Sequence, residues 1–526
     1  MIHGFRLLIC LAFLVCAAGA ADVRVDASCP WIDRDGYTPV LLTVRADYDA
    51  VVEVDATLDD NRASTTVEVA AGTTLRRTLL LPGSNRRWSS GVEVRWRTAG
   101  RPEDRIGVSP RGYRELDVVL LDPDESFPVK DLRDAVSAQV GAPPDANGYR
   151  GSTTAYSEQR FARWAPDELP SRWQGWPAWL TLITTPGGDR RLDDAQRQAI
   201  AAWTQAGGKL LVADAAQLAP WRGIGARVAV VERKELIERI QEVWAGISRH
   251  AAPVPVPGTG RVPVGGFVAI TVLFALLVGP VNLWWCARRG RRHLLLVTTP
   301  LLSLVASVLL LVYGLIADGL HTRRLAVQVL ALDAQSGRAA AWTGLSLFAG
   351  LAPGRIDLDA DDLITVVLAE ADDGRNQERT DLVWDGAQRA TGGWIPSRAN
   401  RQLAIATVRP ERRRLAFART AEGWAVTNGF DRPLAALVLT DPEGRPWHLE
   451  STVAPGAAAP LAAGAVVLDP PLARLPAAAA AAVARGGWTA RFDGPLLPLP
   501  GPAAVDVVPV ASWVVGAALN RSGGGF

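Results

Sequence analysis

Three clusters of carboxylates and glycines follow apolar runs of strand character. They are Asp122, Asp124 and Glu125 after VVLL, Gly187, Gly188 and Asp189 after TLITT, and Asp214 after KLLVA. At the carboxyl ends of parallel strands such groups line the crevice where open α/β sheets bind small ligands. The same residue types also form turns and cap the helices that follow, and this second reading stands beside the first. A further acidic run, DLDADDL, carries Asp357, Asp359, Asp361 and Asp362, the kind of clustering that hard cations require. It lacks the EF-hand glycine at position six and the glutamate at position twelve, where Asp362 and Leu368 stand, so a solvated turn before LITVVLAE is expected. His250, His321 and His448 have no metal-ligand spacing to one another, and no metal or other cofactor is expected.

These groups must be positioned by several separate elements. With 526 residues and 48% hydrophobic content the chain has material for three or four cores. Basic and acidic residues nearly cancel, 56 against 54, which removes the electrostatic argument for nucleic acid as a partner.

Residues 1–20 have the grammar of a signal peptide: Arg6, an apolar core from Leu7 to Val15, and Ala18-Gly19-Ala20 before Ala21. Lipidation at Cys16 is disfavoured by the bulky Phe13-Leu14-Val15, and a retained anchor is the other alternative to cleavage. Of the four cysteines, Cys29 is then the only one in an exported segment, so no intramolecular disulfide framework is available.

Residues 264–285 and 294–316 are uncharged apolar stretches of about 22 and 23 residues, each long enough to cross the roughly 30 Å hydrocarbon core of a bilayer. Between them, in residues 286–293, stand Arg288, Arg289, Arg291 and Arg292. By the positive-inside rule this short loop is cytoplasmic and both large soluble parts lie outside the cytoplasm. Trp284 and Trp285 are expected to be interfacial anchors, while Pro280 and Pro300 lie inside the spans, where lipid-embedded helices tolerate them.

Residues 21–112 alternate apolar and polar in short runs such as TPVLLTVRA, VVEVDATL and STTVEVA, which predicts an antiparallel β-sandwich. Residues 113–250 change to buried strands alternating with amphipathic stretches, VKDLRDAVSAQV and LDDAQRQAIAAWTQAGG. They predict a parallel sheet covered on both faces. Residues 251–263, rich in proline and glycine, form a stem of at most roughly 40 Å. Residues 317–526 are β-rich again, with one or two sandwich modules, a short helix in ARLPAAAAAAVARGG and a frayed tail.

The elements DVVLLD, PAWLTLIT and LDDAQRQAIAAWTQAGGKLLVAD resemble the class I glutamine-amidotransferase-like, flavodoxin-related domain of bacterial membrane proteins. The hairpin motif Gly279, Pro280, Asn282, Arg288, Arg289, Arg291 and Arg292 resembles the Gly-Pro-x-Asn, Arg-rich hairpin of uncharacterised members of that group. SGRAAAWTGLSLFAGLAPG is similar to the β-rich segment that follows it there. The resemblance implies a multidomain membrane protein in the bacterial cytoplasmic membrane: β-sandwich, amidotransferase-like α/β domain, two transmembrane helices and a C-terminal β-rich domain.

Amidotransferase chemistry needs a cysteine nucleophile and a histidine base. There is no cysteine between Cys29 and Cys286, none of the histidines lies in the α/β sheet segment, and no G-x-S-x-G elbow replaces them. The expectation is a non-enzymatic envelope scaffold that binds other envelope proteins. The alternatives are an accessory subunit of a membrane transport complex, or an enzyme or small-ligand sensor working near Asp122 and Asp214.

Overall fold

The computed structural model describes residues 22–33, 36–83, 91–112, 118–125, 161–177, 180–230, 256, 264–290, 294–318, 321–333, 336–367, 379–468, 470, 479, 482–484, 486–501, 504–506 and 510–517. The signal segment, VKDLRDAVSAQV, nearly all of the 251–263 stem, Arg291, Arg292 and the C-terminal tail lie outside the described residues, as does most of the alanine-rich segment.

The strands Thr322–Asp333 and Arg338–Ala349 pair antiparallel along their whole length, from Thr322 opposite Ala349 to Asp333 opposite Arg338. Asn400–Pro410 adds on one side and Ala511–Gly516 on the other, building the centre of a ten-stranded sheet. Continuous apolar runs form here because the sheet is buried on both faces. Side chains alternate across a strand: on one face Ala326, Leu345 and Leu347 enter a first hydrophobic core, and on the opposite face Val327, Val329 and Ala331 with Ala340 and Trp342 enter a second. Leu330 and Ala341 enter a third. One sheet therefore partitions three cores.

The second core is completed by the α/β unit. Five short strands, all parallel, lie in the order Phe161–Arg163, Val118–Leu121, Thr181–Thr184, Lys209–Val212, Val228–Val230. In chain order this is 2-1-3-4-5, one of the doubly wound orders. The helix Asp194–Gln205 forms where the periodicity of DAQRQAIAAWTQ requires it. Its capping box is intact, with Gln196 N donating to Asp193 Oδ1 at 2.7 Å and Asp193 N to Gln196 Oε1 at 3.1 Å. Its buried face carries Ile200 and Trp203, and the Trp203 indole donates to the Pro177 carbonyl at 2.9 Å. Among the described residues, the connection from Arg163 to Thr181 holds two single-turn 3-10 helices rather than the α-helix a strict alternation would place there.

The first core belongs to the N-terminal sandwich, but that sandwich is not closed by its own strands. Asn61–Val69 and Ala50–Leu58 sit in the middle of a seven-stranded sheet. Its other half is Thr380–Asp385, Ala387–Gly392 and Arg355–Leu358, three strands from beyond the membrane spans. The joint is a parallel pairing of Arg62–Thr65 with Asp381–Trp384. The expected division into a 21–112 module and a separate 317–526 module thus holds in sequence and not in the sheet. A parallel pair between distant segments leaves no hairpin signal in either of them.

Two helical segments, Gly265–Arg288 and Leu295–Tyr313, are long and apolar enough to span a membrane, giving a membrane protein with two spans. Because the segments before the first span and after the second share a sheet and a core, both lie on one side of the bilayer, and the Arg-rich connection lies on the other. In the first span a π-helical turn, Leu277–Val281, carries Gly279 and Pro280. It absorbs the hydrogen bond that the proline ring cannot make. Just after it Asn282 is turned into the hairpin, where its amide donates to Thr299 Oγ1 at 3.5 Å and Cys286 Sγ contacts its carbonyl oxygen at 3.7 Å. Asn282→Leu is expected to loosen the helix pair by about 0.6 to 2 kcal/mol, measured as resistance of the full chain to unfolding in mixed detergent micelles. Arg288 lies over the Trp284 ring at 5.3 Å and Arg289 over Trp285 at 4.2 Å, so the two indoles also hold the cations at the end of the first span.

Candidate functional site

The ligand crevice of a 2-1-3-4-5 sheet is expected where strands one and three part, here between Val118–Leu121 and Thr181–Thr184. Among the described residues the ends of these two strands are tied to each other. Thr185 N and Thr185 Oγ1 both donate to the Leu121 carbonyl at 3.1 Å, and Thr185 Oγ1 accepts from Gly188 N at 3.3 Å, capping the turn Pro186–Arg191. Gly188 is required by this contact, whereas at Gly187 only a flexible surface side chain would have to move. A methyl at Gly187 would run into the Asp124 carboxylate, and one at Gly188 into the Leu121 carbonyl.

The carboxylates are committed to internal contacts in the same way. Asp214 accepts from Ala216 N at 2.9 Å while its own N–H donates to Gln217 Oε1 at 3.0 Å, a capping box. Asp189 is the most heavily used. It accepts from Thr184 Oγ1 at 2.6 Å, Gln217 Nε2 at 2.5 Å and the Trp221 indole at 3.0 Å, tying the third strand to the segment after the fourth. Asp124 pairs loosely with Arg191 at 3.5 Å on the surface. Asp122 is fully buried and faces Arg163, which reaches it at 3.5 Å and Glu125 at 3.0 Å. Glu125 holds a left-handed backbone, φ 52°, which turns it back towards that arginine.

Sequence reasoning located the acidic members and missed Arg163, because a three-residue strand carries no periodic signal. The structure brings Asp122, Glu125 and Arg163 together as one cluster, and Gly187, Gly188 and Asp124 as another. Asp214 and Asp189 belong to the loop architecture on the far side of the third strand.

The acidic run DLDADDL has a different place. Asp357 pairs with Arg355 at 3.3 Å and Arg389 at 3.7 Å, while the turn from Asp359 to Asp362 is the point where all three soluble regions meet. Gln388 Nε2 donates to the carbonyls of Asp359 at 2.9 Å, Ala360 at 3.3 Å and Asp362, and its Oε1 accepts from the Tyr37 hydroxyl at 2.8 Å. Tyr37 in turn accepts from Ile364 N at 3.2 Å, and burial holds its phenol protonated. From the α/β unit, Gln174 Nε2 donates to the Ala360 carbonyl at 2.7 Å. The backbone carbonyls of the turn thus accept donors from Gln388 and from Gln174. Among the described residues no three His, Cys, Asp or Glu side chains are grouped to hold a metal ion.

Burial lifts the Asp362 carboxyl from its usual 3.8 to about 6, with the neighbouring Asp359 and Asp361 adding to the rise. Between those values the folded chain keeps a proton that the unfolded chain has released. Stability therefore rises as pH falls through this window, and the cost of the charge is fully present above it. Asp362→Asn is expected to raise stability by about 2 kcal/mol at pH 8 and to change it little below about pH 4. Thermal unfolding of the intact protein at the two pH values checks this.

Cys29 is buried, with its thiol pushed up to about 12, so it stays protonated and unreactive at neutral pH. The fold and these contacts define a two-span membrane protein with one composite soluble head in which strand-end polar residues are used as architecture. No known protein family matches the sequence, and no curated protein is significantly similar to it.

Proposed function

We propose that this chain is a non-enzymatic scaffold of the bacterial envelope, anchored in the cytoplasmic membrane by its helix pair and docking other envelope proteins through an extracytoplasmic head. On this reading the parallel sheet is an amidotransferase-like domain that has kept its fold and put its strand ends to structural use, since fold alone does not carry activity. The observation that carries the reading is the internal use of the strand-end polar groups, with Thr185 bonded to the Leu121 carbonyl and Asp189 and Asp214 tied to the turns beside them. The three cores sharing one sheet support it, because a rigid body presents fixed surfaces to partners. Asn282, a polar group that could bond the helices of a transport complex, is bonded within its own hairpin.

The test is purification of the C-terminally tagged full chain in mild detergent, with mass spectrometry of what accompanies it. Reproducible envelope partners, lost when the head is deleted and the spans are kept, are the expected result. A chain that purifies alone and binds a small molecule at the Asp122–Arg163 cluster would overturn the reading.

A further inference from the structure

The corner where the α/β unit meets the N-terminal sandwich holds two arginines that no carboxylate neutralises. Arg172 is half-buried, stacked over the Trp384 ring at 4.6 Å, and Arg77 stands exposed on the strand Thr74–Pro82. Among the described residues neither makes an ion pair. Elsewhere in the head arginines are matched along or across strands: Arg62 meets Asp55 at 2.7 Å, Arg95 meets Glu93 at 2.9 Å and Arg379 meets Asp381 at 2.9 Å. Burial and the charge of Arg77 both work against the Arg172 cation, and Asp361, which makes no ion pair with it, offsets them only in part. Two like charges are thus kept together at a cost that a bound anion reverses.

The two arginines are brought together by the bonds between their neighbours. Thr78 Oγ1 accepts from Ser171 N at 3.3 Å and lies 3.1 Å from Ser171 Oγ. Whichever hydroxyl donates in that pair, the other keeps its proton for a further acceptor. Thr74–Pro82 is an edge strand of its four-stranded sheet, paired on one side with Tyr37–Ala46. Gly83 N donates to the Gly36 carbonyl at 3.0 Å, so the alternation of an antiparallel ladder assigns Arg77, Leu79 and Leu81 to the paired side. Thr78 and Leu80 then direct their backbone groups out of the free edge, where the Leu80 carbonyl accepts from the Trp384 indole at 2.9 Å. The Thr78 N–H leaves the same edge, beside the indole that carries Arg172.

We propose that this corner is a binding site for a phosphate dianion, either the free ion or a phosphate monoester, held by Arg172 and Arg77 with the Thr78 N–H and the Thr78–Ser171 hydroxyl pair. Two guanidinium groups match the charge of about −2 that such a group carries above its second pKa of about 6, whereas a single carboxylate leaves one of them unmet. The Trp384 ring holds the Arg172 plane, and a planar guanidinium offers parallel N–H groups to two phosphate oxygens at once. The site uses none of the strand-end residues of the parallel sheet, and it stands or falls independently of the docking role.

The experiment is equilibrium dialysis of full-length protein in non-ionic detergent against radiolabelled inorganic phosphate at pH 8, with ionic strength held constant by chloride. The expected result is saturable binding that is weakened about tenfold by Arg77→Gln and by Arg172→Lys, which keeps the charge and loses the fork. Arg222→Gln, a change of an exposed arginine elsewhere on the α/β unit, should leave it unaltered. Because Arg77 is exposed, its replacement leaves the cores untouched and separates loss of binding from loss of fold. Displacement of the label by glycerol 3-phosphate as readily as by unlabelled phosphate assigns the site to phosphate esters, and displacement by unlabelled phosphate alone assigns it to the free ion. Absence of saturable binding, or equal affinities in the wild type, Arg77→Gln and Arg222→Gln, would overturn the proposal.

Discussion

Residues 22–260 produced without the rest of the chain are expected to aggregate or be degraded, and to be recovered as a soluble complex when residues 317–526 are supplied as a second polypeptide exported to the same compartment. The reason is the unfinished sheet. Without Thr380–Asp385, the strand Asn61–Val69 becomes an open edge. The first core then loses Ile356, Leu358, Leu382, Trp384, Ile395 and Leu403 in one step, and the α/β unit loses the sheet face that covers Ile200 and Trp203. Co-purification of the two fragments, with protease resistance restored only in the pair, is the readout. A protease-resistant 22–260 fragment standing alone would show that the composite sheet is not needed for folding. The same dependence sets an order of events, since the head closes only after the second span has been inserted and the strands beyond it lie on the same side of the membrane as the first.

Trp384→Ala is expected to destabilise the head by about 3 to 5 kcal/mol, the cost of a cavity the size of a tryptophan in a packed core. Few side chains join so much. Its indole donates to the Leu80 carbonyl at 2.9 Å, its own carbonyl accepts from Thr65 Oγ1 at 3.0 Å, and its ring meets Tyr37 edge-on at 6.1 Å. Arg172 of the α/β unit lies over it at 4.6 Å. Trp384→Phe keeps most of the apolar area and loses the bond to Leu80, and should cost about 1 to 3 kcal/mol. Limited proteolysis supplies the distinguishing measurement: in Trp384→Ala, new cuts should appear together before the first span and after the second. Cuts confined to the later segment would mean that the two halves are not cooperatively joined.

The parts of this architecture that are legible in sequence are those written in local periodicity. The two apolar stretches are spans, DAQRQAIAAWTQ is a helix capped by Asp193, and VVLL, TLIT and KLLV are buried parallel strands. What is not legible is pairing between distant segments. Nothing in NRASTTVEV or TDLVWD announces that they lie side by side, because a parallel pair leaves no turn between its strands and its register is set by a core assembled from elsewhere. The same holds for the candidate site. Asp122 and Asp214 are recognisable as strand-end residues, yet their different uses, one facing Arg163 and the other capping a turn, depend on neighbours that spacing does not reveal. The acidic turn from Asp359 to Asp362 reads as solvated, and Asp359, Ala360 and Asp361 are exposed; what spacing does not reveal is that its backbone carbonyls also take donors from Gln388 and from Gln174 of the α/β unit.

The composite sheet also governs how this protein can leave the membrane. A single proteolytic cut in the connection between the head and the first span sheds nothing, because the severed piece stays clasped, strand to strand, by segments anchored through the second span. Release takes a second cut before Thr322 or the unfolding of the head itself. The molecule is in effect a ring closed by hydrogen bonds, with the bilayer threaded through one side.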